Sequence, residues 1–132
     1  DPKHAEALLG LAALVQRQKK TAEAKELVAR AKALNPGSVK VRLAVASVYA
    51  SEGKFEDAIK ELEELPRPAR TPRSTLVLGT LYVRAGRAGA GIDTLAPLAR
   101  RFPEFMEARY ALGQAYMAGN RSGEAVAAPW SG

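Results

Sequence analysis

The sequence predicts an all-α fold in which antiparallel helix pairs stack as a solenoid. Three observations predict it. Small residues recur in register: Ala12, Ala46, Gly79 and Gly113 are separated by 34, 33 and 34 positions. The same steps link Val15, Tyr49, Tyr82 and Tyr116, and link Ala24, Ala58, Gly91 and Ala125. Two further columns run Val28, Leu62, Leu95 and Ala31, Leu65, Leu98, while Pro36 follows Pro2 by 34 and precedes Pro103 by 67. Columns that share one period mark a repeat architecture.

Each unit divides into two helical stripes. In the first, Leu8, Leu11, Ala12 and Val15 lie at i, i+3, i+4 and i+7 of one helix face. Gln18-Lys19-Lys20 interrupts the pattern, and Thr21 is the expected N-cap of a second stripe formed by Ala24, Leu27, Val28 and Ala31. Asn35-Pro36-Gly37-Ser38 supplies a stop, a turn and a new cap. The second unit gives helices over about 38–52 and 55–65 around a turn at Gly53, with Glu56 and Lys60 spaced to pair weakly on an exposed face. Pro66 and Pro68 end that unit early, and 67–71 form the least regular linker.

In the third unit Thr71 is placed to cap a helix whose first turn holds Pro72, a favoured site for proline. That helix stops at Gly86. The next, about 88–101, carries Pro97 in its interior, where a missing N–H predicts a kink or loosening over 93–97. The fourth unit opens at Pro103-Glu104, runs as a helix to about Ala118, turns at Asn120-Arg121-Ser122 and begins a second helix at Gly123. The expected organisation is one array over 1–132, with units of about 5–38, 39–71, 72–105 and 106–128, a truncated fourth unit and a non-repeat tail at 129–132. It reads as a segment of a longer protein.

Composition narrows the function. With 132 residues, 47% hydrophobic and 26% charged, the chain can bury a modest core. Alanine is abundant and aromatics are only 6%, which suits close helix–helix approach. The absence of cysteine removes disulfides and thiolate chemistry but leaves the compartment open. His4 is the only histidine and has no nucleophilic or acidic partner nearby in sequence. Glu61, Glu63 and Glu64 form an acidic run expected to spread over a solvated helix face. Gly86, Gly89 and Gly91 follow no strand and precede no phosphate-binding Lys-Ser/Thr, so they read as repeat punctuation. No catalytic residue, cofactor or metal site is expected, and no apolar run approaches the roughly 20 residues that span a bilayer.

A 34-residue helix–turn–helix unit with these columns resembles the tetratricopeptide repeat. The likeness covers nearly the whole chain and rests on the two small columns, on the Tyr49, Tyr82 and Tyr116 column and on the closing prolines Pro36 and Pro103. It implies a right-handed α-solenoid of antiparallel helix pairs, three complete and one partial, acting as a non-enzymatic protein-binding scaffold. The large aromatic often found early in the first helix is replaced by Leu8, Arg42, Thr75 and Arg109. Chaperone-tail binding by this family uses a set of lysines and asparagines. The matching places here hold Leu9, Ala13, Ala44, Arg73 and Val77, of which only Arg73 keeps the charge, so that activity is not expected.

Stacked helix pairs curve, and the first helix of each pair lines the concave side. Residues of those helices outside the packing columns are therefore the candidate partner-binding groove. They are Leu9, Ala13 and Arg17 from the first unit, and Lys40, Leu43, Ser47 and Ser51 from the second. The third gives Arg73, Leu76, Thr80 and Arg84, and the fourth Tyr110, Gln114 and Met117. An apolar middle with basic residues along it suits an apolar helix or extended peptide with acidic flanks.

Two other readings compete. The truncated fourth unit leaves an apolar face that self-association would cover. The net charge of +6 suits an anionic polymer. Base-by-base nucleic-acid reading is not expected, because it needs a polar side chain recurring in each repeat. The columns Leu9, Leu43, Leu76, Tyr110 and Ala13, Ser47, Thr80, Gln114 are mixed.

Overall fold

Seven α-helices and one short 3-10 helix, without a strand, make up residues 2–122, which are those described by the computed structural model. Side chains are described from Lys3 to Asn120. The helices are α1 (Pro2–Arg17), α2 (Thr21–Leu34), α3 (Val39–Ser51), α4 (Phe55–Glu63), α5 (Pro72–Arg84), α6 (Ala88–Arg101) and α7 (Met106–Ser122), with the 3-10 turn at Arg67–Ala69. They form two compact units that divide between Arg70 and Thr71, at the linker the prolines mark. In unit 1, α1 packs on α2 and α3 on α4, with α2 against α3. In unit 2, α5 packs on α6 and α6 on α7. The expected second helix of the fourth unit lies outside the described residues.

The turn inside each pair repeats atom for atom. Three residues connect the helices: Gln18-Lys19-Lys20, Glu52-Gly53-Lys54 and Ala85-Gly86-Arg87. The last of each donates its N–H back to Val15, Tyr49 or Tyr82, at 3.0, 2.9 and 2.8 Å. The middle one donates to Gln16, Ala50 or Val83, at 2.9, 3.0 and 3.0 Å. This is a Schellman closure, which needs a left-handed residue in the middle. Gly53 (φ 77°) and Gly86 (φ 83°) supply it, and Lys19 (φ 63°) does so against its Cβ. Left-handed backbone costs a non-glycine residue roughly 1–2 kcal/mol. Lys19→Gly is therefore expected to stabilise unit 1 by about 1 kcal/mol, read as a higher denaturation midpoint.

The same turn corrects one cap. Thr21 is the first residue of α2 rather than its N-cap, and Lys20, in the N-cap place, makes no side-chain cap. Lys54 and Arg87 repeat this in α4 and α6. A residue already closing the preceding helix has no freedom to adopt the cap geometry. The helices α3 and α5 are capped where the sequence placed the caps. Ser38 Oγ accepts from Val41 N–H at 3.3 Å, and Thr71 and Ser74 form a reciprocal capping box ahead of Pro72.

The helix α6 stays α-helical through Pro97, which is exposed, so the proline does not end the helix. One further expectation changes. α7 continues through Asn120-Arg121-Ser122, which are helical rather than a turn.

The small columns do what small residues permit. Ala12, Ala24, Ala46 and Ala58 are each 2% exposed or less. Between α5 and α6 the approach is closer still. A Cβ on Gly79 would lie 2.5 Å from Leu95 Cγ, and one on Gly91 would lie 2.6 Å from Val83 Cγ2 and 3.1 Å from the Gly79 carbonyl oxygen.

Candidate binding surface

All the predicted groove residues but Met117 fall into four columns, and the structure treats each column differently. The column Ala13, Ser47, Thr80, Gln114 is exposed throughout. Arg17, Ser51 and Arg84, one turn further along, are exposed too. Both hydroxyls in α5 and α3 turn inward on their own helices: Thr80 Oγ1 donates to the Leu76 carbonyl at 2.9 Å, and Ser51 Oγ to Val48 at 2.7 Å. Gln114 Nε2 donates to Tyr110 Oη at 2.6 Å.

The column of Leu9, Leu43, Leu76 and Tyr110 is mostly not groove. Leu76 is 7% exposed and sits in the unit 2 core with Leu95, Leu98, Ala108 and Ala115. Leu9 is half-buried against the unit 1 core, and Leu43 is half-buried. A leucine at this position turns toward the helix pair rather than away from it, which corrects the expectation that Leu76 lines an open surface. Tyr110 and Met117 on α7 are exposed, at 71% and 58%. A recess of about 410 Å³ opens between them, lined also by Gly113 and Gln114. Gly113 occupies the column where Gly79 receives α6, and the helix expected to follow α7 lies outside the described residues.

Two of the basic residues expected along the groove, Lys40 and Arg73, are already paired. Lys40 Nζ lies 3.5 Å from Glu6 Oε1, joining α3 to α1. Arg73 holds Glu107 in a two-armed pair, both bonds 3.0 Å, joining α5 to α7. Glu6, Lys40, Arg73 and Glu107 are one column of the repeat. In each unit the charge of one copy is answered by the opposite charge of its neighbour. The hydrogen bond from Arg73 holds the Glu107 carboxyl below its ordinary value, and Glu107 in turn raises Arg73. Sequence reasoning saw the cations and missed the carboxylates that share their column.

Glu61 is also misplaced by the sequence reading. It is buried, at 7%, rather than part of a solvated face. Lys32 Nζ donates to it at 2.9 Å and Arg42 Nη1 at 3.1 Å. Arg42 further donates to Glu64 at 2.7 Å and, through Nε, to the Pro36 carbonyl at 3.0 Å. This network ties α2, the Pro36 turn, α3 and α4 together. It is structural: no nucleophile or histidine joins it, and its carboxylates are saturated by cations.

The Glu64 carboxyl is held below its ordinary value of 4.5, first by the hydrogen bond from Arg42. A carboxyl whose pKa falls on folding stabilises the fold above its unfolded value and loses that contribution as pH drops through the folded one. Both Glu64 and Glu107 follow this sign. Acid titration is expected to leave stability flat above pH 4.5 and to erode it below, modestly, because both carboxylates are solvent-screened. Thermal midpoints across pH 3–7 at two salt concentrations check this, since the exposed Arg73–Glu107 pair weakens in salt.

Among the described residues no helix is long and apolar enough to cross a membrane. Comparison with curated proteins finds no match. The solved crystal structure of MamA protein aligns at TM-score 0.72 and 22% identity, covering 96% of this chain and 69% of that one. At that identity the likeness speaks for the fold, an all-helical repeat. One tetratricopeptide-repeat family model matches residues 16–81 and a second matches residues 76–128. With the columns, the repeated Schellman turns and these matches in agreement, the chain belongs to the tetratricopeptide-repeat family.

Proposed function

We propose that this protein is a scaffold segment that binds a protein or peptide along the exposed face of its first helices, α1 and α3 in unit 1 and α5 and α7 in unit 2. The family's role is protein interaction, generally without catalysis. The observation that supports this face is the column Ala13, Ser47, Thr80, Gln114. It is exposed in every copy, on helices whose other faces are used in packing, and its chemistry changes from copy to copy. Residues that hold the fold repeat, and residues free to choose a partner vary. On α5 the surface is small and polar rather than apolar, because Leu76 is withdrawn into the core, while α7 adds the exposed Tyr110 and Met117. With Lys40 and Arg73 neutralised in place, acidic flanks of a partner would meet Arg17, which is exposed.

A photo-reactive side chain at Ser47 or Thr80 tests this against the same group at Arg30, exposed on α2. Adducts with a shared protein from Ser47 and Thr80, absent at Arg30, are the expected result, and Ser47→Glu or Thr80→Glu should reduce capture of that protein. Equal adducts at all three positions, or none, overturn the assignment.

A further inference from the structure

Unit 1 holds a cleft of about 460 Å³ between α2 and α3. Val28, Ala29 and Ala33 of α2 line one side, and Val45, Val48 and Tyr49 of α3 the other. The three valines are buried, so the base is aliphatic, and the volume lies in the range of small-molecule sites, roughly 300–1,000 Å³. In unit 2 the tyrosine of the same column, Tyr82, is 9% exposed and has the Arg87 guanidinium 4.7 Å from its ring centroid. Tyr49 is half-buried and borders the cleft instead.

The two ends of the cleft differ in charge. Lys25 and Lys32 line it seven residues apart on α2, about 10 Å along the helix. Lys32 donates to Glu61 at 2.9 Å, and there Lys32 and Arg42 balance Glu61 and Glu64. At the other end Glu52 lies 3.9 Å from Lys25 Nζ and 4.0 Å from Lys54 Nζ, both beyond hydrogen-bond length. Two ammonium groups share one carboxylate, which leaves a positive charge beside the aliphatic base.

We propose that this cleft binds a free medium-chain alkyl carboxylate, its carboxylate on Lys25 and its chain along Val28, Val45 and Val48 toward Pro36. Size and polarity select that occupant. A helix, about 10–12 Å across with its side chains, is too wide for the space. An extended peptide would set backbone N–H and C=O groups against valines that cannot hydrogen-bond them. An alkyl chain carries no such groups, and one anionic end answers the one surplus charge. Val45 and Tyr49 lie about 160° round α3 from Ser47, so the site is separate from the exposed column of the proposed function and either can fail alone.

The 132-residue chain is titrated with sodium octanoate below its micelle concentration, and the valine and leucine methyl resonances are followed. Saturable shifts at Val28, Val45 and Val48 are expected, with Leu11 and Leu14, which are exposed and report general adsorption, unmoved. Hexanoate, two methylenes shorter, should bind about tenfold more weakly, and octylammonium should not bind. Lys25→Gln, at a side chain 49% exposed, should weaken octanoate about fivefold, the scale of one solvent-exposed ion pair. Lys60→Gln, on α4 and outside the cleft, should leave binding unchanged. Ala29→Trp, which fills the cleft from the exposed side of α2, should abolish the shifts. The absence of saturable shifts, equal shifts from octanoate and octylammonium, movement of Leu11 and Leu14 in step with the three valines, or full affinity in Lys25→Gln overturns the proposal. A response to an acidic amphipathic peptide but not to octanoate makes the occupant a protein and overturns it too.

Discussion

Glu61→Ala should destabilise unit 1 by about 3 kcal/mol, the low end of what removing one partner from a buried ion pair costs. The Glu61 side chain is 9% exposed and Arg42 14%, so both charges have left most of their water. Deleting the carboxylate leaves Arg42 with Glu64 and the Pro36 carbonyl, which is why the low end applies. Lys32, 35% exposed, can recover water by swinging outward. Glu61→Gln keeps the shape and one acceptor but loses the charge, and should cost less than the alanine variant. Glu64→Ala, at 47% exposure, should cost no more than about 1 kcal/mol. The informative variant is the concerted one. Replacing Glu61, Arg42 and Lys32 together by aliphatic residues should cost little or stabilise, since desolvation of all three charges is then avoided. Hydrogen exchange of α2 to α4, compared with α5 to α7, reads the effect in unit 1 alone. A Glu61→Ala protein with unchanged exchange there would mean the network contributes no net stability.

Why this network escaped the sequence reading can be stated in residues. The helix positions were legible, because apolar columns at 34, 33 and 34 set both period and face. The prolines and glycines gave the turns, and the pair boundary at Thr71 followed from Pro66 and Pro68. Burial of charge was not visible within one copy, where Glu61, Glu63 and Glu64 look like any solvated run. It is visible across copies. Glu61 shares its column with Leu27, and Arg42 shares its column with Leu8, which is buried. A charge whose column holds a leucine in another copy is a candidate for a paired, buried one. The same comparison finds Glu6 with Lys40 and Arg73 with Glu107. The binding surface was legible only in part, because the groove rule counts helix positions and cannot tell which way a leucine turns. Leu76 sits on the boundary between the two faces of α5, and its size decides for the core. A left-handed lysine at position 19 was likewise invisible until the hydrogen bonds showed which residue of the turn is forced there.

Gly79 offers the sharpest test of the repeat itself. In the middle of a helix, glycine to alanine normally gains about 1 kcal/mol from a less flexible unfolded chain. At Gly10, exposed and with no atom within 4 Å of the added methyl, that gain should appear in full. At Gly79 the methyl would meet Leu95 Cγ at 2.5 Å and Cδ2 at 2.7 Å, and Leu95 is fully buried. The near atom is a branch point rather than a free end, so the side chain cannot simply rotate clear. Overpacking of this kind costs roughly 1–3 kcal/mol and outweighs the helix gain, so Gly79→Ala should be destabilising where Gly10→Ala is stabilising. Gly79→Leu should cost more again, because α5 and α6 would have to separate along the line that also brings Gly91 against the Gly79 carbonyl. A double-mutant cycle decides the cause. Leu95→Ala removes the Cγ and Cδ atoms that Gly79→Ala strikes, so the pair should be less destabilised than the sum of its parts. Additive effects would show that strain elsewhere in α5, rather than the α5–α6 crossing, is what glycine relieves at position 79.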